Sequence, residues 1–468
     1  MNERYIRIKG DVVVGVPPRL RCLTTWVLLE QEDWFEKEIA FVRRWLKPGM
    51  RAIDIGANFG VYALTMARLV GSDGKVWAFE PARETAAALS RSVAHNGFGN
   101  LQLVQAALSE REGVAELFHH GQSELNSLIH GGGDATLGTE TVKVSNLDQQ
   151  RTELGWDAID FLKIDAEGCG AKILAGGRSF FAEQSPLVMF EATDSSADSN
   201  QAEVPAAFRA LGYDIYRLVG PDTLLVPVGP HEPLLGYDLN LFACKSDRAM
   251  ALAAANLLVL KPAADDIFAE GSGLAFYARQ AYAPAFGALA ARTPVYRYAL
   301  DAYAAWRDRR VEANRRFAAL TRALKAAREA SAEKISCVRL ATLARIALEA
   351  SDRQLAIDTL WQLLQLQQGG GQPLDEPFFP PALRYDTIDP KSQASAWFAA
   401  ATIEAYEQAR FYSGFFIPAE SRQLGMLDWL QATPFASAAM ERRRQLQRWA
   451  AGLQPGLEAA LLQASESA

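Results

Sequence analysis

Three acids and a lysine have the types and spacing for chemistry: Asp54 in "AIDIGANFGVYAL", and Lys163, Asp165 and Glu167 in "DFLKIDAEG". The first stretch is a short apolar run, an acid, a turn containing Gly56, Ala57, Asn58 and Gly60, and then a helix-forming segment. Glycine lets backbone approach a ligand closely, so strand-turn-helix motifs of this kind wrap nucleotides. A dinucleotide turn would read Gly-x-Gly-x-x-Gly and seat a pyrophosphate on the helix N-terminus. Here the spacing differs, and a carboxylate stands where phosphates would lie. It opposes a pyrophosphate but suits a ligand carrying an ammonium and a sulfonium. S-adenosylmethionine carries both and has no phosphate. Glu80 closes the next apolar run, "KVWAFE", where an acid can accept hydrogen bonds from two ribose hydroxyls. Ala106 and Ala107, after the third run, are expected neighbours of the adenine.

The second stretch belongs to the acceptor side. The two-residue strand period puts Lys163 and Asp165 on one face, with Asp165 at the strand tip and Glu167 in the following loop. Glu191 ends the next run, "PLVMFE". Methyl transfer is an in-line displacement on an already activated carbon, helped by orientation and exclusion of water. An acceptor hydroxyl must also shed its proton, to a carboxylate or a histidine. Candidate bases are therefore Asp165, Glu167, His119, His120 and His130, with Lys163 as a charge partner or an internal ion pair. Ser123, Asn126 and Ser127, in the same segment as the histidines, are candidate contacts to acceptor or donor. The reading is metal-free. If a divalent cation such as Mg²⁺ takes part instead, Asp165, Glu167 and Glu191 are its expected ligands.

Positioning these groups requires a sheet. Apolar runs of strand length at "RAIDIG", "KVWAFE", "LQLVQAAL", "DFLKID" and "PLVMFE" are separated mostly by crossover-length segments, which predicts βαβ units and a parallel sheet. "YDIYRLV" and "NLFACK" add strands further on, and "GVAELFHH" with "ETVKVSNL" reads as an inserted strand pair. "WVLLEQEDWFEKEIAFVRRWLKPG" has helical spacing and stops at Pro48-Gly49, completing a helical and strand lead-in over residues 1–50. The expected α/β domain covers 1–248. From 249 to 468 the chain turns Ala-, Leu-, Arg- and Gln-rich, predicting an all-α domain. Leu340, Leu343, Ala344 and Ala347 can face Leu355, Ile357, Leu360 and Leu364 across a turn at Ser351-Asp352, a tetratricopeptide-like hairpin without a 34-residue period. Eight Arg or Lys residues between 307 and 328, against Asp308 and Glu312, read first as a solvated helix face, with docking to an anionic glycan or membrane surface as the alternative.

Net charge is −7 over 468 residues, which excludes a large nucleic-acid footprint. Four scattered cysteines without a CxxC pair argue against a zinc site or a disulfide framework. The polar start "MNERYIRIKGD" shows no signal peptide, and no run of ~20 apolar residues predicts a membrane span. A cytoplasmic location is expected, with self-association through the helical tail.

With these residues in view the chain resembles the FkbM family of S-adenosylmethionine-dependent methyltransferases. The resemblance rests on "WFEKEIAFVRRWLKPGMRAIDIGANFGVYAL", "VWAFEP", "LQLVQAALSE", "VSNLD", "IDFLKIDAEGCGAKILAGG", "PLVMFEATD" and "LNLFACK", covering about residues 20 to 246. It implies a class I methyltransferase Rossmann-like fold: seven mostly parallel strands, the last, "NLFACK", antiparallel. It also implies methylation of oxygen, often a hydroxyl of a sugar or secondary metabolite. One departure is Gly170, in "KIDAEGCG", where the family usually has a glutamate; the loss of that carboxylate could widen the acceptor pocket. The leading expectation is an O-methyltransferase acting on a saccharide or related metabolite. The alternatives are a scaffold that has lost catalysis and holds partners with its helical tail, and an N-methyltransferase.

Overall fold

A computed structural model describes residues 3–128, 138–192, 203–221, 223–230, 232, 238–263, 268–369, 372–418 and 423–463. Internal contacts divide the chain into two units, one of residues 1–218, 227–252 and 455–468, the other of 219–226 and 253–454. The division differs from a single cut at 248 by assigning residues 219–226 to the second unit and the segment from Pro455 to the first.

The first unit opens with a hairpin, β1 (Arg4–Ile8) and β2 (Val12–Val16), then α1 (Leu23–Gln31) and α2 (Glu38–Trp45). The single helical stretch expected before Pro48 is thus two helices. Glu32 caps the first in the left-handed region at φ 54, which ends its hydrogen-bond ladder. The core alternates β3 (Arg51–Ile55), α3 (Val61–Val70), β4 (Lys75–Phe79), α4 (Arg83–Asn96) and β5 (Leu101–Val104). An insert follows: β6 (Ala107–Leu108), β7 (Gly113–His119) and β8 (Gly138–Ser145), which form a separate three-stranded sheet. The apolar run "LQLVQAAL" is therefore split at Gln105-Ala106 between two sheets. Then come α5 (Leu147–Leu154), β9 (Phe161–Ile164), α6 (Gly170–Ala175), α7 (Arg178–Glu183), β10 (Leu187–Glu191), α8 (Glu203–Ala210), β11 (Asp214–Val219), β12 (Leu224–Pro227), β13 (Asn240–Cys244) and α9 (Ser246–Ala254).

The central sheet runs β12-β11-β13-β10-β9-β3-β4-β5. Strands β5, β4, β3, β9 and β10 are parallel, and β13 lies antiparallel between β10 and β11. This is the expected class I methyltransferase order with one further edge strand, β12, so the sheet has eight strands rather than seven. Its central strands are buried on both faces: Ile53, Ile55, Trp77, Phe79, Leu162, Ile164, Val188 and Phe190 meet helices of one layer through Ile173, Phe180 and Phe208. Two-sided burial is what continuous apolar runs, rather than alternating ones, encode. The chain order reverses between β3 and β9, so the crevice beyond their carboxyl ends is where this architecture places a ligand.

The second unit is helical: α10 (Ser272–Ala278), α11 (Pro294–Arg307), α12 (Ala313–Glu333), α13 (Cys337–Glu349), α14 (Arg353–Gln368), α15 (Ala394–Arg410), α16 (Gln423–Gln431) and α17 (Ala438–Ala450). Helix α18 (Leu457–Gln463) returns to the first unit. Buried alanines such as Ala299, Ala302, Ala319, Ala323 and Ala330 let neighbouring helices approach, while Tyr296, Tyr303, Trp306, Phe378 and Trp397 fill the spaces left. The turn between α13 and α14 falls at Ser351-Asp352, with Asp352 accepting from the Leu355 amide as N-cap at 3.1 Å. Leu355 and Ile357 are half-buried, and Ala356 and Leu363 are buried beside them. The basic stretch is not a uniformly solvated face. Arg316 is buried, donating to the Trp306 carbonyl at 2.9 Å, and Arg307 reaches Glu349 at 2.8 Å. A groove of about 430 Å³ between α10 and the end of α11 is lined by Phe276, Arg279, Arg307 and Arg310, and contains none of the predicted site residues. Among the described residues no helix is long and apolar enough to cross a membrane.

Candidate functional site

The turn after β3 is held by its neighbours before any ligand arrives. The amides of Gly56 and Ala57 both donate to the Phe79 carbonyl at 3.0 Å, and the Asn58 amide donates to Glu80 Oε2 at 2.8 Å. The Gly60 amide is spent on the Ala57 carbonyl at 2.8 Å. Four turn N–H groups that a phosphate cradle would aim outward are therefore occupied by protein acceptors. Glycine is required at two points. Gly56 has φ +78, and a Cβ there would lie 1.7 Å from the Asp165 carbonyl oxygen; Gly60 has φ +87, and its Cβ would meet Leu89 at 2.2 Å. Both glycines let the turn press against β9 and α4.

Two acids flank this turn. Glu80 accepts the Asn58 and Ala82 amides, one on each oxygen, which leaves lone pairs for further donors. Burial pushes its carboxyl up to about 7, against the pull of those two amides. Asp54 is fully buried, and neither of its oxygens has a hydrogen-bond partner among the described residues. Its nearest cation is Lys163 Nζ at 3.6 Å, and burial raises its pKa in spite of that charge. A buried carboxylate whose charge is met by a lysine it shares with Asp165 is costly, and it fits a cationic ligand far better than an anionic one. Ala57 and Ala106 are buried beside these acids, Ala106 in the turn after β5 with its amide on the Val104 carbonyl at 2.9 Å. Ala107 begins β6, opposite Val144.

On the acceptor side Lys163 donates to Asp165 Oδ2 at 2.7 Å and lies 5.0 Å from the centre of the Tyr62 ring. Burial works against its charge, yet Asp165, Asp54 and Glu36 outweigh that and hold its pKa above the ordinary lysine value. Asp165, Glu167 and Glu191 offer carboxylate oxygens within 4.8 Å of one another. That triad has the donor set for a hard divalent cation, although Asp165 already serves Lys163.

The insert reaches both halves of the site. Ser123 Oγ donates to Asn58 Oδ1 at 3.2 Å, and Ser127 Oγ to the Glu167 carbonyl at 2.8 Å. Asn126 Oδ1 accepts from the His120 amide at 2.9 Å, a local bond that shapes the loop. The loop is fastened to the lead-in: Gln122 accepts from the Leu23 amide and donates to the Arg21 carbonyl, and Glu124 accepts from Thr24. His119 is not brought to Asp165. Its Nε2 lies 3.4 Å from Glu140, which also accepts from the Arg83 amide at the start of α4. His120 contributes a backbone contact, and His130 lies outside the described residues.

Two groups escaped the sequence reading. Tyr62, on α3, donates from its hydroxyl to Glu36 Oε2 at 2.6 Å, and Glu36 precedes α2. Both lie in the long stretch from "WFEKEI" to "GVYAL", but a helical pattern offers no sign that its hydrophilic members turn toward a site. Gly170 also differs from expectation. A Cβ there would stand 3.1 Å from Val204 of α8, so that space is filled by a valine rather than opened to an acceptor.

Residues 54–215 match the family model described as the methyltransferase FkbM domain. Curated proteins give no match. Similar solved structures include a methyltransferase FkbM from Methylobacillus flagellatus KT, with 16% identity over 44% of this chain and 50% of that one, at TM-score 0.28. An S-adenosylmethionine-dependent O-methyltransferase from Thermotoga maritima shares 19% identity over 45% of this chain and 64% of its own, at TM-score 0.25. Aeropyrum pernix fibrillarin, solved with natively bound S-adenosyl-L-methionine, shares 14% over 52% of this chain and 82% of its own, at TM-score 0.26. The chain thus spans only about half the length of the first of these. Together with the strand order and the acid-flanked turn, the family match establishes that residues 54–215 are a methyltransferase FkbM domain.

Proposed function

We propose that this protein is an S-adenosylmethionine-dependent O-methyltransferase whose acceptor is a hydroxyl of a saccharide or related metabolite. The observation that carries the reading is the acid-flanked turn: Asp54 and Glu80 stand beside it with capacity to spare, while its amides are already used. Such a turn favours a cationic, phosphate-free nucleoside. Glu80 is assigned to the ribose hydroxyls, Asp54 to the electrostatics of the donor's positive charge, and Ala57 and Ala106 to the walls around the base. When bound, S-adenosylmethionine supplies an activated methyl carbon. The protein's own work is to orient the acceptor, exclude water and receive the hydroxyl proton. Asp165, Glu167 and Glu191 line the acceptor side, with Ser123 and Ser127 holding the insert over it. The α/β unit is assigned the chemistry, and the helical unit acceptor docking or self-association.

Calorimetry on the full chain should show S-adenosylmethionine binding and no NAD binding; the reverse preference defeats the reading. Carbohydrate and metabolite extracts incubated with labelled methyl donor then find the acceptor. Label retained as an amine would select N-methylation, and binding without turnover in any extract would favour the scaffold. EDTA should leave turnover intact. Its abolition, with recovery in Mg²⁺, would reassign Asp165, Glu167 and Glu191 as metal ligands.

A further inference from the structure

We infer that Glu36 is the group that takes the proton from the acceptor hydroxyl, with Tyr62 as its positioning residue. The inference rests on the proposed methyl transfer and names a proton acceptor outside the three-acid cluster.

Glu36 is tied to the site from a separate element, the segment leading into α2. Its Oε2 accepts the Tyr62 hydroxyl at 2.6 Å, and the other face of that contact is Lys163, whose ammonium lies 5.0 Å from the Tyr62 ring. Lys163 in turn holds Asp165 at 2.7 Å. The chain Glu36–Tyr62–Lys163–Asp165 therefore joins the lead-in to the tip of β9. Oε1 of Glu36 has no hydrogen bond among the described residues, and the side chain keeps part of its surface in solvent, so one oxygen is open to a substrate.

Three of its rivals have other partners or assignments, which leaves Glu167 and Glu191 as the remaining carboxylates of the acceptor side. Asp165 already accepts the Lys163 ammonium at 2.7 Å. Glu80, with one backbone amide on each oxygen, stands at the donor turn and is assigned to the ribose hydroxyls. His119 is turned to Glu140. The groups facing Glu36 are Glu38 of α2, Lys163 of β9, Asp165 just beyond that strand, and Tyr62 of α3. Burial first, and then Glu38 and Asp165, raise its carboxyl to about 7, while Lys163 and the Tyr62 hydrogen bond pull the other way. A carboxylate near neutrality is matched to general-base work at physiological pH. The step balances simply. The O–CH₃ bond forms as the S⁺–CH₃ bond breaks, the thioether keeps the sulfur's electron pair, and the hydroxyl proton passes to Glu36 Oε1 and then to solvent.

The test compares wild type, Glu36→Gln and Tyr62→Phe as full chains, with S-adenosylmethionine for binding and the active extract fraction for turnover. Expected for Glu36→Gln is donor affinity within twofold of wild type, turnover down at least about a hundredfold, and loss of the pH–rate limb near neutrality. Tyr62→Phe removes a bond that lowers the Glu36 pKa, so its limb should move to higher pH with a smaller fall in rate. Donor affinity falling tenfold or more in Glu36→Gln would mean that Glu36 holds the donor, and would overturn the inference. So would unchanged turnover, or a limb that stays in place in both variants. A wild type without turnover on any fraction would instead remove the methyl-transfer reading itself, and this inference with it.

Discussion

Two sets of buried charges, one in each unit, are built in opposite ways. In the helical unit, Arg345 gives Nε to Glu349, Nη1 to the Pro380 carbonyl and Nη2 to Asp386, while Glu349 also receives Tyr303, Trp306 and Arg307. Arg339 is likewise closed by Glu376, Thr293 and the Ala330 carbonyl. Donors and acceptors are matched there, and both Glu349 and Glu376 are held below the ordinary carboxylate range despite desolvation, chiefly by their arginines. In the α/β unit a single buried lysine serves Asp54 and Asp165, Asp54 has no hydrogen bond, and Glu36, Glu80 and Asp54 are all pushed upward by burial. Matched networks hold a fold together. An unmatched one stores capacity for a ligand or a proton.

The comparison can be broken by mutation. The largest effect is expected from Asp165→Ala, which removes a carboxylate from the acceptor side and strands the buried Lys163; turnover should fall on the order of a hundredfold, and the melting temperature should fall with it. Glu349→Ala should cost stability alone. Removing one partner of a buried network costs about 3–5 kcal/mol, read by urea unfolding, and S-adenosylmethionine affinity should persist in the remaining folded protein. Next comes Glu80→Ala, for which calorimetry should show donor affinity reduced at least tenfold, since each charge-assisted hydrogen bond is worth ~1.5–3 kcal/mol. Unchanged affinity would remove Glu80 from the donor site.

A pH series sharpens the contrast. The folded-state pKa of Glu80 is raised to about 7, so the folded chain binds more protons than the unfolded one between the two values. Its contribution to stability is therefore most favourable below the unfolded carboxyl pKa and is lost as pH rises toward 7. Glu80→Gln should remove that fall, so stability measured against wild type improves with pH by roughly 3–4 kcal/mol. An identical pH dependence in both proteins would mean that Glu80 is not buried in the charged form. Smallest is Gly170→Ala. Its new methyl needs only a slight shift of Val204, and a loss under about 1 kcal/mol is expected. A loss of several kcal/mol would mean that the α6–α8 contact is rigid.

Much of the sheet could be read from the sequence because its strands are buried on both faces, and "RAIDIG", "KVWAFE", "DFLKID" and "PLVMFE" state this in composition alone. The acids at their tips followed from the strand period. Residues fixed by tertiary contact were out of reach. Glu36 and Tyr62 sit in helical patterns whose polar positions look solvated until α2 and α3 are brought together. His119 was chosen for its type, but the β7–β8 register sets it against Gly138 with Glu140 alongside, and no local pattern reports that pairing. On α14 the expected stripe holds, with Leu360 and Leu364 in the core and Leu355 and Ile357 packed against it half-buried, but Ala356 and Leu363 are buried beside them.

The segment from Pro455 belongs to the α/β unit, and the Leu20 amide donates to Glu458 Oε1 at 3.1 Å. On a ribosome, Leu20 leaves the tunnel long before Glu458 has been made. The helical unit is translated in between, so it can close around its own core while the α/β unit still lacks this one tie, its lead-in being held meanwhile by contacts such as Gly15 to Ser92 and Glu36 to Tyr62. That lead-in also fastens the insert loop through Arg21, Leu23 and Thr24. A nascent chain halted after α17 should therefore already show a protease-resistant helical unit, with cleavage near Leu20 somewhat faster than in a chain that includes α18.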